Sequence, residues 1–199
     1  MKQILFASAN TNKINDLKVL AKEYKIDLIS AQELLIEKPD LEAIPEVEET
    51  ELTYYGNALL KAKAFKSWSG MSVISDDSGI EVECLGGEPG IYSARYGGPN
   101  LSPTDRIQYM LDKIGDASNR NARMISLLIL IDENDNEIVG NGSLEGKIIN
   151  FPKGEKGWGY EPIFVPINDS RTIAEIRDAG EKPQNHRISA WNNLMTKIK

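Results

Sequence analysis

A single cysteine, Cys84, and a single histidine, His186, set the first limits on what this chain can do. One cysteine cannot form an intrachain disulfide, which suits a reducing, cytoplasmic setting. A thiol nucleophile needs a base, and His186 is the lone imidazole available, so cysteine catalysis has little to work with. The same shortage argues against a histidine-rich zinc site. Long apolar runs are also missing: none approaches the roughly 20 residues that a membrane-spanning helix needs. The opening MKQILFASANTNK has a short apolar run and no cleavage pattern, so no signal peptide is expected there. Positive charge is scarce. Lys and Arg number 23 against 30 Asp and Glu, giving a formal net charge of −7 and a pI near 4.9. A broad surface for nucleic acid or anionic membrane is therefore not expected. A local basic pocket remains compatible with that balance.

What is present reads as an ordinary folded protein. Of the 199 residues 41% are hydrophobic and 27% charged, enough to bury a sizeable core. Residues 1–199 read as one domain, with no internal repeat, low-complexity tract or interdomain linker. Gln3–Ala7 predicts a buried strand, Ser8-Ala9-Asn10-Thr11-Asn12 a polar turn, and Lys13 to Tyr24 a helix with Ile14, Leu17, Val19, Leu20 and Ala21 on its apolar side. Strand, turn and helix in that order offer backbone N–H groups to an anion. Lys13 sits in the first turn, where a cation opposes the helix dipole. It is either a solvated surface lysine or a phosphate ligand. The Gly spacing of a Walker A loop is absent.

Ile26–Ser30 predicts a second strand and Gln32–Ile36 a short helix. Glu37–Thr50, with Pro39 and Pro45, predicts a loop ending in the acidic cluster Glu46, Glu48 and Glu49. Such a run is usually solvated. Thr53 can cap a helix from Tyr54 to Trp68, on which Asn57 and Lys61, four apart, share a face. Ser102 caps a further helix to Ile114, with Pro103 in its first position. Met124–Ile131 and Glu137–Ser143 predict antiparallel strands around an Asn/Asp turn, so the sheet should be mixed. Near the C-terminus, Ile173–Ile176 begins a helical stretch and Arg177–Gln184 a charged loop. His186-Arg187 opens the last helix.

The densest candidate chemistry lies in Ser75–Gly98, SDDSGIEVECLGGEPGIYSARYGG. Met71–Ser75 and Gly79–Glu83 predict a strand pair around an acidic turn, Asp76-Asp77. Neighbouring residues of a strand point to opposite faces, so the two carboxylates can take different tasks. A carboxylate there suits a hard cation such as Mg²⁺, which takes oxygen ligands and keeps waters or phosphate oxygens for the rest. In KGEKGWGYEPIF, Trp158 and Tyr160 flank Gly159 on a Gly-rich loop. An aromatic so placed either stacks on a base or folds back on the core.

SANTNK at 8–13, EETELTYYGNALLKA at 48–62, the 75–98 block, KGWGYEPIF at 156–164 and HR at 186–187 occur in a fixed order. Together they resemble the inosine triphosphate pyrophosphatase family across nearly the whole chain. The resemblance implies a two-lobed α/β fold with a long mixed β-sheet flanked by helices and a central active-site cleft. It implies a cytoplasmic, Mg²⁺-dependent homodimer that hydrolyses ITP, dITP and XTP to the monophosphate and pyrophosphate. Carried over by position, Ser8, Ala9, Asn10, Thr11, Asn12 and Lys13 would contact the triphosphate, with Asn57 and Lys61 in the same pocket. Glu49 and Asp77 would hold Mg²⁺, and Asp77 would accept the proton of the attacking water. Ser78 would touch substrate, Trp158 would stack on the base, and Gly159, Tyr160 and Glu161 would complete that loop. Lys182, His186 and Arg187 would address the base.

The chain departs from the family pattern in several places. It has Trp158 where Phe is usual, Glu161 for Asp, Glu51 for Gly and Gly56 for Glu. Glu181 stands in the place of the base-site lysine, with Lys182 one residue later, and Asn185 replaces Ser. Related readings are a Maf-type pyrophosphatase for pyrimidine or modified nucleotides and a nucleotide sensor without chemistry. The intact Asp76-Asp77 pair and Lys13 favour chemistry.

Overall fold

In a computed structural model of the chain, which describes residues 2–8 and 10–198, a seven-stranded mixed sheet carries helices. The elements are β1 (Lys2–Ala7), α1 (Thr11–Glu23), β2 (Ile26–Ser30), α2 (Ala31–Glu37), α3 (Tyr54–Ser69), β3 (Val73–Val82), β4 (Pro89–Gly90), α4 (Pro103–Ile114), β5 (Asn121–Ile131), β6 (Glu137–Ile148), β7 (Phe164–Pro166), α5 (Ile173–Asp178) and α6 (His186–Met195). The strand order is β2-β1-β3-β5-β6-β7, with β4 added to β3. β1 runs parallel to β2 and β3, whereas β4 lies antiparallel to β3 and β7 antiparallel to β6. No helix among the described residues is long and apolar enough to cross a membrane.

The chain divides into two compact units. One comprises 1–77, 126–142 and 187–199; the other comprises 78–125 and 143–186. The core of the first unit follows strand alternation. Ile4, Phe6, Ile74, Leu128 and Leu130 face Ile14, Leu17 and Ala21 of α1 and Ala190, Trp191 and Leu194 of α6. Residues of the other parity point the opposite way. Leu5, Ala7 and Val73 meet Leu34 of α2 and Phe65 of α3, and Ile129 and Ile131 meet Ala58 and Ala62 of α3. In the second unit, Ile107, Met110, Leu111 and Ile114 of α4 pack on Ile80, Val82, Met124, Leu144 and Phe164.

Helix starts follow their caps. Asn10 caps α1, its side chain accepting the Asn12 N–H, so the helix begins at Thr11, ahead of the expected Lys13. Ser30 and Glu33 form a capping box on α2, and Thr172 and Glu175 form another on α5. The larger correction concerns the acidic pair. The expected turn between two strands does not form; Val73–Val82 is one continuous strand with Asp76 and Asp77 in its middle. Ser78-Gly79 reads as a turn from local propensity, but extended pairing across the sheet overrides it. Similarly, β5 starts at Asn121, ahead of the expected Met124, and β6 continues past Ser143 to Ile148.

Candidate active site

The register of β1 on β3 sets Ala7 opposite Ser75. The turn after β1 therefore emerges beside the point where Asp76 and Asp77 begin. Ligand sites of parallel sheets form at such carboxyl ends. Strand alternation then separates the two carboxylates. Asp76 shares the face of Ile74 and meets α1, α6 and β5, while Asp77 shares the face of Ser75, whose hydroxyl donates to the Ala58 carbonyl of α3 at 2.7 Å.

Asp76 is fully enclosed. Its Oδ2 lies 2.8 Å from Lys13 Nζ and 3.2 Å from Arg187 Nε, and its Oδ1 accepts from the Ser126 hydroxyl at 2.6 Å. Burial alone would raise its pKa, but Lys13, Arg187 and Ser126 win and hold the carboxyl far below the usual range. Lys13 shows the reverse balance: burial pulls its pKa below the ordinary lysine value against the attraction of Asp76, and Arg187 and Lys61 lower it further. Arg187, 0% exposed, also reaches Asp16 Oδ2 at 3.1 Å. The structure thus places the Arg187 guanidinium against a buried and a partly buried carboxylate, beside Lys13. Asp16 and Ser126 were not anticipated. Asp16 lies three residues after Lys13 on α1, a spacing that signals a shared face. Ser126 carried no such signal, because only strand pairing brings it to Asp76.

On the other face, Lys61 Nζ bridges Glu49 Oε1 at 2.5 Å and Asp77 Oδ1 at 2.9 Å. Burial pushes the Asp77 carboxyl up to about 6; Lys61 opposes this and Glu49 reinforces it. Lys61 is raised on balance, since Asp77 and Glu49 outweigh its desolvation. Asp77 Oδ2 is buried without a hydrogen-bond partner. Asn57, also fully buried, accepts the Glu51 N–H through Oδ1 at 3.0 Å, and its Nδ2 has no partner. A buried unpaired acceptor and a buried unpaired donor are costly unless a ligand completes them. Two carboxylates that share one cation, with an acceptor left over, fit a hard divalent ion such as Mg²⁺, which needs only one or two protein carboxylates beside phosphate and water. No cluster of three or more His, Cys, Asp or Glu side chains suited to a metal occurs among the described residues.

Of the residues expected to contact phosphate, Ala9 lies outside the described residues. The Ser8 hydroxyl accepts the Asn10 N–H at 3.1 Å, and Asn10, Thr11 and Asn12 are exposed at the start of α1. α1 carries no acidic residue in its first turn, which leaves the positive end of its dipole without a carboxylate from its own sequence.

The remaining predicted residues lie in the second unit. Ser78 is half-buried on β3. Trp158 is half-buried, and Gly159 follows with φ +60°, a left-handed conformation that glycine adopts without strain. Tyr160 does not present a face. It is buried in the core, and its hydroxyl donates to the Ser93 carbonyl at 2.9 Å. Glu161 is buried as well, paired through both oxygens with Arg177 at 2.9 Å, and it accepts the Trp158 N–H at 3.2 Å. Tyr160 and Glu161 therefore shape the loop that carries Trp158. Lys182 is exposed and His186 is buried. Glu181, in the place of the base-site lysine, pairs with Arg171 at 2.8 and 3.1 Å. The Arg177 clamp had no sequence signal, since sixteen residues separate it from Glu161.

A mixed sheet whose adjacent strand carboxylates each face a lysine defines an α/β protein with a carboxylate–lysine site on each side of one strand. Comparison with known proteins supplies the family. The sequence model of the Ham1 family matches residues 4–197. A dITP/XTP pyrophosphatase of Staphylococcus aureus is 38% identical over 98% of this chain and 95% of its own. One from Vibrio cholerae is 35% identical over 100% of this chain and 97% of its own. Among solved structures, the Staphylococcus aureus Ham1 protein superposes with a TM-score of 0.82 at 37% identity, over 98% and 97% of the two chains. A Coxiella burnetii HAM1 protein gives 0.84 at 32% identity, over 98% of each. The chain belongs to the Ham1 family, and the resemblance read from its motifs holds over almost its whole length.

Proposed function

We propose that this protein hydrolyses the non-standard purine nucleoside triphosphates ITP, dITP and XTP to the monophosphate and pyrophosphate, removing them from the nucleotide pool. The observation that carries the reading is the division of two adjacent carboxylates between two lysines. Asp76 is held ionised by Lys13 and Arg187, whereas Asp77 is pushed up to about 6 beside Lys61. The names of the Staphylococcus aureus and Vibrio cholerae relatives support the substrate class.

The proposed roles follow from this chemistry. Lys13, the start of α1 and Lys61 bind the triphosphate and offset charge that builds on the departing pyrophosphate. Asn57 Nδ2 donates to a phosphate oxygen. Asp77 takes the proton of the attacking water; a carboxylate tuned upward is a better base at neutral pH than an ordinary one. Glu49 and Asp77 hold Mg²⁺. A bound Mg²⁺ would neutralise phosphate charge and acidify a nearby water. Trp158 stacks on the base, and Lys182 and His186 address its edge. Donors aimed at the 6-oxo group would be left unpaired by the amino group of adenine, which rejects ATP. We further propose a homodimer working in the cytoplasm, as one domain.

The test is incubation with Mg²⁺ and ITP, dITP, XTP, GTP, ATP, dTTP or UTP, with product analysis. The expected result is monophosphate plus pyrophosphate from the first three. Orthophosphate plus diphosphate would move the attack to another phosphorus. Turnover restricted to dTTP or UTP would replace the purine reading with a Maf-like one. Asp77→Asn should bind substrate and lose turnover while keeping its fold.

A further inference from the structure

Gly56 lies in the first turn of α3, where its N–H donates to the Thr53 hydroxyl at 3.0 Å. Glycine inside a helix ordinarily costs stability relative to alanine, so its presence needs a reason. The structure supplies one. A Cβ at position 56 would stand 2.5 Å from Glu51 Cβ, 2.8 Å from its Cγ and 3.1 Å from its Oε2. The nearest obstacle is the root of the Glu51 side chain, which cannot swing aside as a flexible tip could. The segment around Glu51 therefore lies flat on α3 only because position 56 has no side chain.

That contact bears on the site. The Glu51 N–H is fixed by Asn57 Oδ1 at 3.0 Å, one residue along the helix from Gly56. Two residues before Glu51, Glu49 reaches Lys61 at 2.5 Å, and Lys61 reaches Asp77 at 2.9 Å. We infer that Gly56 and Glu51 form an interlocking pair that seats Glu49 beside Asp77, and that Gly56 is a positioning residue for the divalent-ion site. This rests on the proposed role of Glu49 and Asp77 as ion ligands. Only one of positions 51 and 56 can carry a side chain. An alanine at 56 lifts residue 51, breaks its hydrogen bond to Asn57 and withdraws Glu49.

Calorimetric titration of the substrate-free protein with Mn²⁺, together with thermal unfolding, tests the pair in four variants. Gly56→Ala should weaken Mn²⁺ binding about tenfold or more, the scale of losing a group that orients a metal ligand. It should also lower Tm, although Gly→Ala in a helix normally raises it. Adding Glu51→Gly to Gly56→Ala should restore binding. Adding Glu51→Ala should not, because Cβ is the clashing atom. In the Glu51→Gly background, Gly56→Ala should raise Tm. Unchanged Mn²⁺ affinity in Gly56→Ala, or equal rescue by Glu51→Ala, overturns the inference. If the unmutated protein binds no Mn²⁺, the ion-site reading fails on its own. The Tm comparison then still decides the interlock: the same sign of change in both backgrounds overturns it.

Discussion

Asp76 and Asp77 are neighbours in sequence and opposites in chemistry. Both are buried carboxylates; what differs is the company that strand alternation gives them. Asp76 has two cations and a hydroxyl, and Asp77 shares one lysine with Glu49. The raised Asp77 has a consequence for stability. Its carboxyl titrates near 3.8 when unfolded and at about 6 when folded, so the folded state holds the extra proton between those values. Stability should therefore fall as pH rises from about 4 to above 6, by at most about 3 kcal/mol from this group. Urea unfolding across that range in chelator should show a step in the native protein that Asp77→Asn lacks; parallel curves would remove the assignment. Asp76, held low, contributes in the opposite sense: its stabilisation is present above the unfolded value and is lost progressively as pH falls below it. At Trp158, loss of the ring in Trp158→Ala should raise KM for ITP roughly tenfold through lost stacking, with kcat little changed. An unchanged KM would make the side chain structural. Trp158, Lys13, Lys61 and Asp77 stood out in the sequence as candidates. Ser126 and Arg177 did not, because their partners lie 50 and 16 positions away, and Asp16 offered only its spacing from Lys13, its partner Arg187 lying 171 positions away.

At the scale of elements, α1 and α6 are held to one face of the sheet by a continuous apolar layer. Trp191 is fully buried there, edge-on to Tyr24 with ring centroids 6.4 Å apart. Trp191→Ala should cost about 3–5 kcal/mol, which for a chain of this size is a fall in Tm of roughly 10 °C. Since Arg187 opens the same helix, the loss should reach Asp76 and depress turnover as well. Close approach of β6 to α6 is set at Gly140, where a Cβ would stand 2.5 Å from the Ala190 carbonyl oxygen and 2.6 Å from Leu194 Cβ. Gly140→Ala should destabilise by about 1–3 kcal/mol through overpacking. Thermal unfolding checks both, and a neutral Gly140→Ala would mean that α6 can shift outward. The sequence anticipated most helices because caps and apolar spacing are local signals. It misplaced β3 because the Asp-Asp-Ser-Gly run is turn-like by itself and becomes a strand only when paired. The Glu51 and Gly56 departures read as two unrelated changes in the sequence; in the structure they are one contact.

For the whole molecule, three strands bind the compact units by covalent continuity: β3 leaves the first unit after Asp77, β5 returns to it at Ser126, and β6 leaves it after Gly142. A unit that melted alone would have to break strands belonging to the other. Calorimetry should therefore show a single transition, and Trp191→Ala and Ile163→Ala, one in each unit, should each move it as a whole. Two separated transitions would show that the units unfold independently. What the sequence determined by itself was the class of the fold, the order of its elements and the candidate residues for the chemistry, because periodicity, caps and spaced motifs act over a few residues. Only the tertiary structure decided which charges meet. Strand parity sent Asp76 to Lys13, Arg187 and Ser126 and sent Asp77 to Lys61 and Glu49. Burial then divided the properties of two identical side chains, and desolvation and charge contact exist only once the chain has folded.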